Sequence, residues 1–217
     1  MTGMVKTVTD LMVQKKNKQR VSVYLDDCYA FSLSPMVAAR LVEGQELDDE
    51  AILRLTEEDE LERAYHLALR YLGYRARSLA EMERYLKGKR FSLSCRKTTL
   101  DRLARNRFVD DREFAGMWVE NRKRMNPRGA YALRQELLEK GVDESLIDEN
   151  LDRFDETASA LDAVRKKLGL WMKLPPEELQ KKIYGFLSQR GFSYETTREV
   201  TERAWAIQRG DDDGTAF

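Results

Sequence analysis

The sequence predicts a mainly α-helical protein, with a small N-terminal β-hairpin and helix followed by an elongated tandem array of three three-helix repeats. Helix-forming residues are abundant, and only 4 of the 217 residues are proline. Apolar residues recur at helical spacing from residue 56 onward. Three stretches about fifty residues apart share one order of features, in which a helix ending in Leu and basic residues is followed by a turn, an apolar residue and a short helix.

The N-terminal region predicts two segments. Residues 1–19 are expected to be a flexible leader, because their few apolar residues lack partners nearby. In residues 20–55, apolar and polar residues alternate over 21–25 and again over 29–33, which is typical of a β-hairpin. Ser34-Pro35 then predicts the start of a helix, with Ser as N-cap and Pro at the first helical position.

The repeats are delimited by helix-start signals. Thr56 with Asp59 and Ser78 with Glu81 have the spacing of capping boxes, and Asp110 precedes a further apolar stripe. Asp143 and Ser193 are expected to cap later helices. The predicted repeats cover residues 56–109, 110–156 and 157–209, and an acidic tail covers 210–217.

One turn of the repeat departs from the others. The turns of the second and third repeats contain Gly141 and Gly191, whereas the first has Arg90 at the matching position. Because glycine readily adopts positive φ, the first turn is expected to be built differently.

The charges balance overall but not locally. The chain has 38 basic and 38 acidic residues. Residues 46–60 are predominantly acidic, whereas residues 63–107 are predominantly basic. This asymmetry indicates an anionic partner or an oppositely charged neighbour within the fold, and the alternative is that these are simply solvated helix faces.

The sequence offers no support for an enzyme. A single histidine, His66, cannot build a multi-histidine metal site or a credible catalytic triad, and glycines occur singly rather than in a phosphate-binding loop. Cys28 and Cys95 have no metal-binding spacing and are typical of a reducing compartment. Without a signal-peptide pattern or a membrane-spanning run, a cytoplasmic protein without cofactor or metal is expected.

Two basic clusters are candidate binding surfaces. We expect the helix over 77–90 to pack through Leu79, Met82 and Leu86 and to expose one basic face. The alternative is that these cations pair with the acidic segment 46–60. The cations of this face are Arg77, Arg84, Lys87, Lys89 and Arg90, and a second cluster comprises Arg122, Lys123, Arg124 and Arg128.

Several motifs resemble those of the RecX family. RARSLAE (75–81) resembles the R-x-R-S-x-x-E-L opening of its first repeat, and NRFVDDREFA (106–115) resembles its G-[YFL]-[IL]-[DN]-D-x-x-[FY]-A stretch. PRG (127–129) with ELLEKGV (136–142) resembles its G-x-x-x-[IL]-x-x-E-L-x-x-K-G-I segment, and the hairpin and helix resemble the N-terminal extension of some members. The order and spacing, from about residue 20 to residue 208, make the set fairly specific.

Two positions depart from the family pattern, and the third repeat matches loosely. Met82 stands where Leu is usual, which conserves volume. Asn106 replaces a common Gly, and Asn also enters left-handed conformations. Neither change is expected to disturb the fold.

The resemblance implies a negative regulator of the RecA recombinase, in DNA repair, homologous recombination and the SOS response. Such proteins lie in the groove of the RecA filament on single-stranded DNA and lower its ATPase, strand-exchange and co-protease activities. A monomer with weak, non-specific DNA binding and no membrane contact is expected. The predicted RecA or DNA contacts are Arg75, Arg77, Arg84, Lys87, Lys89, Arg90, Arg122, Lys123, Arg124, Arg128 and Lys140.

Two other functions remain open. Three-helix units resemble helix-turn-helix modules, so the chain could bind DNA directly and largely without sequence preference. A helical scaffold for another partner ranks last, because the motifs of known solenoid repeats are missing.

Overall fold

The computed structural model describes residues 4–209. The predicted acidic tail, residues 210–217, lies outside the described residues. The chain divides into two units. The first contains the residues up to 76 together with 82–109, and the second contains 77–81 together with the residues from 110 onward.

A four-stranded antiparallel sheet opens the first unit. Its strands are β1 (Lys6–Val13), β2 (Val21–Leu25), β3 (Cys28–Leu33) and β4 (Glu46–Leu47), in the spatial order β3-β2-β1-β4. The predicted hairpin is confirmed as β2 and β3. Asp26 and Asp27 form its turn with φ of +47° and +65°, the pair of positive φ values found in type I′ hairpin turns.

The expectation of a flexible leader over residues 1–19 is wrong for residues 6–13, which form β1. Val8 is fully buried in a core that also contains Val23 and Leu33. The backbone N–H of Thr7 donates a hydrogen bond to the Asp26 carboxylate over 3.0 Å. The partners of β1 therefore lie in later strands and not in the neighbouring sequence.

The helices of the first unit are α1 (Pro35–Ala38), α2 (Asp49–Leu72), most of α3 (Leu79–Gly88) and α4 (Leu93–Arg105). The N-cap of α2 is Asp48, whose carboxylate accepts from the Ala51 N–H over 2.7 Å. The predicted capping box of Thr56 and Asp59 is therefore wrong. Thr56 lies inside α2 and donates to the Ile52 carbonyl, so the predicted boundary at residue 56 falls within a helix.

The second unit contains six helices of the described chain, α5 (Asp111–Met125), α6 (Ala130–Glu139), α7 (Glu144–Leu151), α8 (Glu156–Trp171), α9 (Pro176–Ser188) and α10 (Tyr194–Arg209). Two apolar cores hold it together, one built from α5 to α7 and one from α8 to α10. Side chains of Asp110, Asp143 and Ser193 accept hydrogen bonds from the first turns of α5, α7 and α10, as predicted. The fold is mainly α, with three three-helix repeats following the N-terminal strands.

The turns of all three repeats have the same backbone form, so the expectation of a different first turn is wrong. Arg90, Gly141 and Gly191 adopt φ of +64°, +77° and +76°. In each turn the following N–H bonds back to a leucine carbonyl, as at Phe91 and Leu86 over 3.4 Å. The hydrogen-bond pattern thus imposes a left-handed conformation on an arginine, at a cost of about 1 kcal/mol.

Asn106 does not take the left-handed conformation expected of it. Its φ is −84°, and the next residue, Arg107, has φ of +57°. Arg107 N–H bonds to the Ala104 carbonyl over 2.9 Å, which fixes this turn after α4. Within residues 4–209, no helix is both long and apolar enough to cross a bilayer.

Candidate functional site

Two equivalent junctions position the basic side chains of the second unit. At the first, the Ser78 hydroxyl donates to the Lys140 carbonyl over 2.6 Å. At the second, the Gly129 N–H donates to the Arg190 carbonyl over 3.0 Å. In both, the residue that begins one helix bonds to the turn that follows a later helix.

The second junction requires glycine at residue 129. A Cβ there would lie 2.1 Å from the Gly191 carbonyl oxygen, and contacts of that length do not occur. Glu156 strengthens the same junction, because its carboxylate accepts from the Ala130 N–H over 2.8 Å and from the Thr196 hydroxyl over 2.9 Å. The loop between α5 and α6 is therefore held against the third repeat.

Glu81 and Glu136 bring four of the predicted contact residues into internal ion pairs. Lys140 Nζ lies 3.4 Å and Arg77 Nη1 4.0 Å from Glu81 Oε1. Glu136 accepts from Arg122 Nε over 2.7 Å and from Trp118 Nε1 over 2.8 Å. Arg128 Nε lies 3.9 Å from the same carboxylate. These cations stabilise the unit and present less charge to a partner than the sequence predicts.

The predicted basic face of the helix over 77–90 is only partly formed. Met82 and Leu86 are fully buried, as expected of its apolar side, and Leu79 is half-buried. Arg77 is only 14% exposed and so does not belong to an open face. The exposed cations of this segment are Arg84, Lys87, Lys89 and Arg90, and Arg75 just before it is exposed as well.

Carboxylates of the acidic segment 46–60 pair with arginines outside the helix over 77–90. Glu50 pairs with Arg54, Glu58 with Arg40, and Asp59 with Arg20. The Ser92 hydroxyl donates to Glu60 over 2.8 Å. Three carboxylates of the segment are thus occupied by arginines outside the predicted contact set.

Lys123 and Arg124 lie on a basic cleft in the second unit. The cleft has a volume of about 490 Å³ and is lined by α5, the α5–α6 loop, α8 and α9. Its cations are Lys123, Arg124, Arg165, Lys166, Lys167 and Arg190, and its carboxylates are Glu120 and Asp162. Asp162 is 3.5 Å from Arg165. Cations therefore exceed carboxylates by four, which favours an anionic ligand.

Arg190 lies where the positive charge of the basic cleft is concentrated. Burial lowers the pKa of its guanidinium, and the nearby charge of Arg128 lowers the pKa further. The guanidinium lies 3.8 Å from the centroid of the Phe186 ring, a cation–π contact. No carboxylate of residues 4–209 lies within ion-pair distance of Arg190, so an anion entering the cleft would relieve this repulsion.

Sequence reasoning missed four of the six cleft cations, namely Arg165, Lys166, Lys167 and Arg190. The run of three consecutive cations in α8 was a usable signal, and Arg190 precedes the turn glycine of the third repeat. The sequence alone does not show that the α8 run and Arg190 lie in the same cleft as residues 123–124, because that depends on the tertiary fold. No cluster of His, Cys, Asp and Glu placed to hold a metal ion is found among residues 4–209.

Fold and surface together define a class of protein, a tandem three-helix repeat protein with cation-rich surfaces and an N-terminal sheet. Four family models match in order along the chain. The RecX N-terminal domain matches residues 6–48, and the first, second and third RecX three-helix domains match 64–103, 110–151 and 155–201.

Curated relatives agree with the family models. The chain is 36% identical over 193 residues to the regulatory protein RecX of Bacillus subtilis (strain 168), covering 87% of this chain and 73% of that protein. It is 40% identical over 141 residues to the regulatory protein RecX of Chlorobium phaeobacteroides (strain BS1), covering 65% and 93%. The chain belongs to the RecX family.

Two solved structures share the fold. A crystal structure of regulatory protein RecX matches with a TM-score of 0.70 and 27% identity over 91% of this chain and 99% of that one. RecX from Lactobacillus salivarius matches with a TM-score of 0.62 over 68% of this chain and 97% of that one. At 20% identity, the second match concerns the fold alone.

Proposed function

We propose that the chain is a non-enzymatic negative regulator of the RecA recombinase, acting on RecA filaments assembled on single-stranded DNA. The observation that carries the proposal is the ordered match of four RecX domain models from residue 6 to residue 201. Binding along the filament or at its growing end would inhibit ATP hydrolysis, strand exchange and co-protease activity. The protein would act as a monomer in the cytoplasm, where RecA assembles on DNA.

The exposed cations after α2 suit a polyanionic assembly. Arg84, Lys87, Lys89 and Arg90 are exposed within one short segment that ends at the first repeat's turn. Long-range attraction between such cations and a DNA-bound filament speeds encounter, and complementary charge fixes orientation. The Nζ of Lys89 lies 5.5 Å from the Tyr85 ring centroid. These four residues are therefore the proposed outward contacts.

The basic cleft of the second unit supports a second function, direct binding of nucleic-acid phosphate. Its four-charge excess and the half-buried Arg190 favour phosphate oxygens over neutral ligands. Such contacts carry no sequence information, so binding would be non-specific and would weaken with salt. The Phe186 ring is covered by Arg190, which leaves backbone contact as the main interaction.

ATP hydrolysis by the host's RecA on single-stranded DNA tests the first proposal. This protein is titrated in after filaments have formed. A fall in hydrolysis at protein levels well below RecA would support action at growing ends, and a fall only near equal amounts would support coating of the groove. Undiminished hydrolysis together with salt-sensitive binding to naked DNA would replace the first proposal by the second.

Three double variants separate the two surfaces. Lys87→Glu/Lys89→Glu is expected to abolish inhibition while leaving helicity intact, because both cations are exposed. Lys166→Glu/Lys167→Glu is expected to weaken binding to naked single-stranded DNA and to lower the salt slope by about 0.7 per lost phosphate contact. Lys181→Glu/Lys182→Glu reverses an exposed pair on α9 that does not line the cleft, and should leave both properties unchanged. Unchanged inhibition in the first variant would contradict the role of α3.

A further inference from the structure

A second cleft lies in the first unit, and none of the predicted contact residues lines it. Its volume is about 990 Å³, and it is formed by three segments. Residues 17–20 of the β1–β2 loop form one side, residues 34–36 at the start of α1 form another, and Arg63, His66, Leu67 and Arg70 on α2 form the third. The family match assigns residues 6–48 to the N-terminal domain, and no function described above uses this cleft.

Three of the four Lys and Arg side chains that line this cleft have no compensating carboxylate, and the fourth, Arg20, pairs with Asp59. Lys18, Arg63 and Arg70 are exposed, and none of the described residues places a carboxylate within ion-pair distance of them. The guanidinium carbon of Arg63 lies 5.9 Å from the Phe91 ring centroid, and a neutral ring does not cancel its charge. The residues lining the cleft include no Asp and no Glu. The cleft therefore favours a ligand that brings its own negative charge.

Asp59 fixes two sides of the cleft against α2. This carboxylate is 3% exposed. It accepts from Arg20 Nη1 over 2.7 Å and from the Ser34 N–H over 2.5 Å. Because a charged pair with a second hydrogen bond holds its geometry well, the loop and the start of α1 are positioned before any ligand arrives.

Apolar side chains in the same cleft favour a polypeptide ligand over a nucleic acid. The apolar side chain of Met36 is 55% exposed, and Leu67 and Pro35 line the same cleft. Methionine adapts its shape to apolar partners. Proteins that bind single strands use aromatic platforms for the bases, and no Phe, Tyr or Trp lines this cleft. Cations flanking an aliphatic patch suit an acidic peptide with an apolar residue.

We propose that this cleft binds an acidic segment of a polypeptide partner. Carboxylates of the segment would pair with Lys18, Arg63 and Arg70, and one aliphatic side chain would pack on Met36 and Leu67. This role is independent of RecA inhibition, since it needs only a partner with such a segment. It would give the N-terminal domain, together with the α2 residues beside it, a docking function separate from the proposed contacts of α3 and of the second unit.

Fluorescence anisotropy on the full chain tests this proposal. The probe is a fluorescein-labelled 12-residue peptide that alternates Asp or Glu with Leu, and an unlabelled oligo-dT of 20 nucleotides serves as competitor. Arg63→Glu/Arg70→Glu is expected to raise the Kd for the peptide at least tenfold, because two favourable pairs become repulsive. Arg63→Gln/Arg70→Gln, which removes both charges without adding negative ones, should raise it about threefold to tenfold. Met36→Ser should raise it several-fold without changing the charge.

The matched control is Lys97→Glu/Arg105→Glu, which reverses two exposed cations of α4 in the same unit. Its Kd for the peptide should stay within twofold of the unaltered chain. Circular dichroism confirms that each variant is folded. The proposal is overturned if the unaltered chain does not bind the peptide or if the control weakens binding as much as the cleft variants. It is also overturned if oligo-dT displaces the peptide and loses affinity in the same cleft variants, because the cleft would then be a nucleic-acid surface.

Discussion

Arg122 and Lys123 are neighbours in sequence but belong to two different groups of cations. Arg122 is held by Glu136 over 2.7 Å and lies 4.7 Å from the Trp118 ring centroid. Lys123 lines the basic cleft together with Arg124 and the cations of α8. One group stabilises the fold and the other offers charge to a ligand. A basic run in a sequence therefore contains cations with different roles, and the position of a half-buried carboxylate decides which role each has.

The first junction repeats this division. Glu81 lies within ion-pair distance of Arg77 and Lys140, whereas Lys87 and Arg90 on the same segment are exposed. Removing an exposed ion pair costs little stability, whereas removing one partner of a shielded pair costs more because the other charge is left uncompensated. The side chain of Glu81 is 10% exposed and that of Glu136 is 21% exposed.

The largest effect is expected from Gly129→Ala, which breaks the junction that forms the cleft. The added Cβ would lie 2.1 Å from the backbone oxygen of Gly191, so the backbone must move. We expect the free energy of unfolding to fall by about 3 kcal/mol or more. Gly185→Ala is the control, because nothing lies within 4 Å of its Cβ position in α9, and alanine should stabilise this helix by up to about 1 kcal/mol. Urea denaturation measures both, and equal stabilities would show that the junction does not constrain residue 129.

A smaller loss is expected from Glu136→Ala, which removes the acceptor shared by Arg122 and Trp118. Two half-buried groups lose their hydrogen bonds, so the free energy of unfolding should fall by about 2 kcal/mol. Lys166→Ala removes an exposed cleft cation and should change stability by less than about 0.5 kcal/mol. Urea denaturation compares the two variants. If Lys166→Ala costs as much as Glu136→Ala, the division into structural and ligand-facing cations is wrong.

The smallest effect concerns Asp111, a carboxylate of the first junction without a cation in ion-pair distance among residues 4–209. Burial raises the pKa of its carboxyl, and the charges of Asp110 and Glu81 raise it further, while the hydrogen bond from the Leu79 N–H lowers it. A folded-state pKa above the unfolded value means that the stabilising contribution is present at pH values below the unfolded pKa and is lost as the pH rises through the folded pKa.

Asp111→Asn keeps the acceptor for Leu79 and removes the charge. We expect this variant to match the unaltered chain at pH 3 and to exceed its stability by about 0.5 kcal/mol at pH 7. Thermal unfolding across this pH range measures the difference. A variant that is less stable than the unaltered chain at pH 7 would indicate that the ionised form contributes favourably at this junction.

Local signals were sufficient for most of the helices. Caps at Ser78, Asp110, Asp143 and Ser193 are visible in sequence because capping needs one side chain and the next turn of the same helix. Thr56 gave a false cap because a capping pattern also occurs inside α2. The leader was misjudged because β1 is stabilised by strands that come later in the chain.

The candidate surfaces were harder to predict than the fold. Arg122 and Lys123 are equivalent in any local pattern, and only the position of Glu136, fourteen residues after Arg122, separates them. The cleft also needed Arg165 and Arg190, which are distant in sequence. Arg90 adopts a left-handed backbone conformation that arginine does not favour, because the turn of the repeat imposes it.

By itself, the sequence determined the helical class, the threefold repeat, the hairpin and the motifs of the RecX family, because these follow from periodicity, caps and short spacings along one chain. Tertiary structure alone decided which cations are neutralised and which line a cleft. Ion pairing depends on distances of about 3–4 Å between side chains far apart in sequence, and on how much water reaches them. It also decided that residues 6–13 form a strand, since a strand exists only through hydrogen bonds to its neighbours.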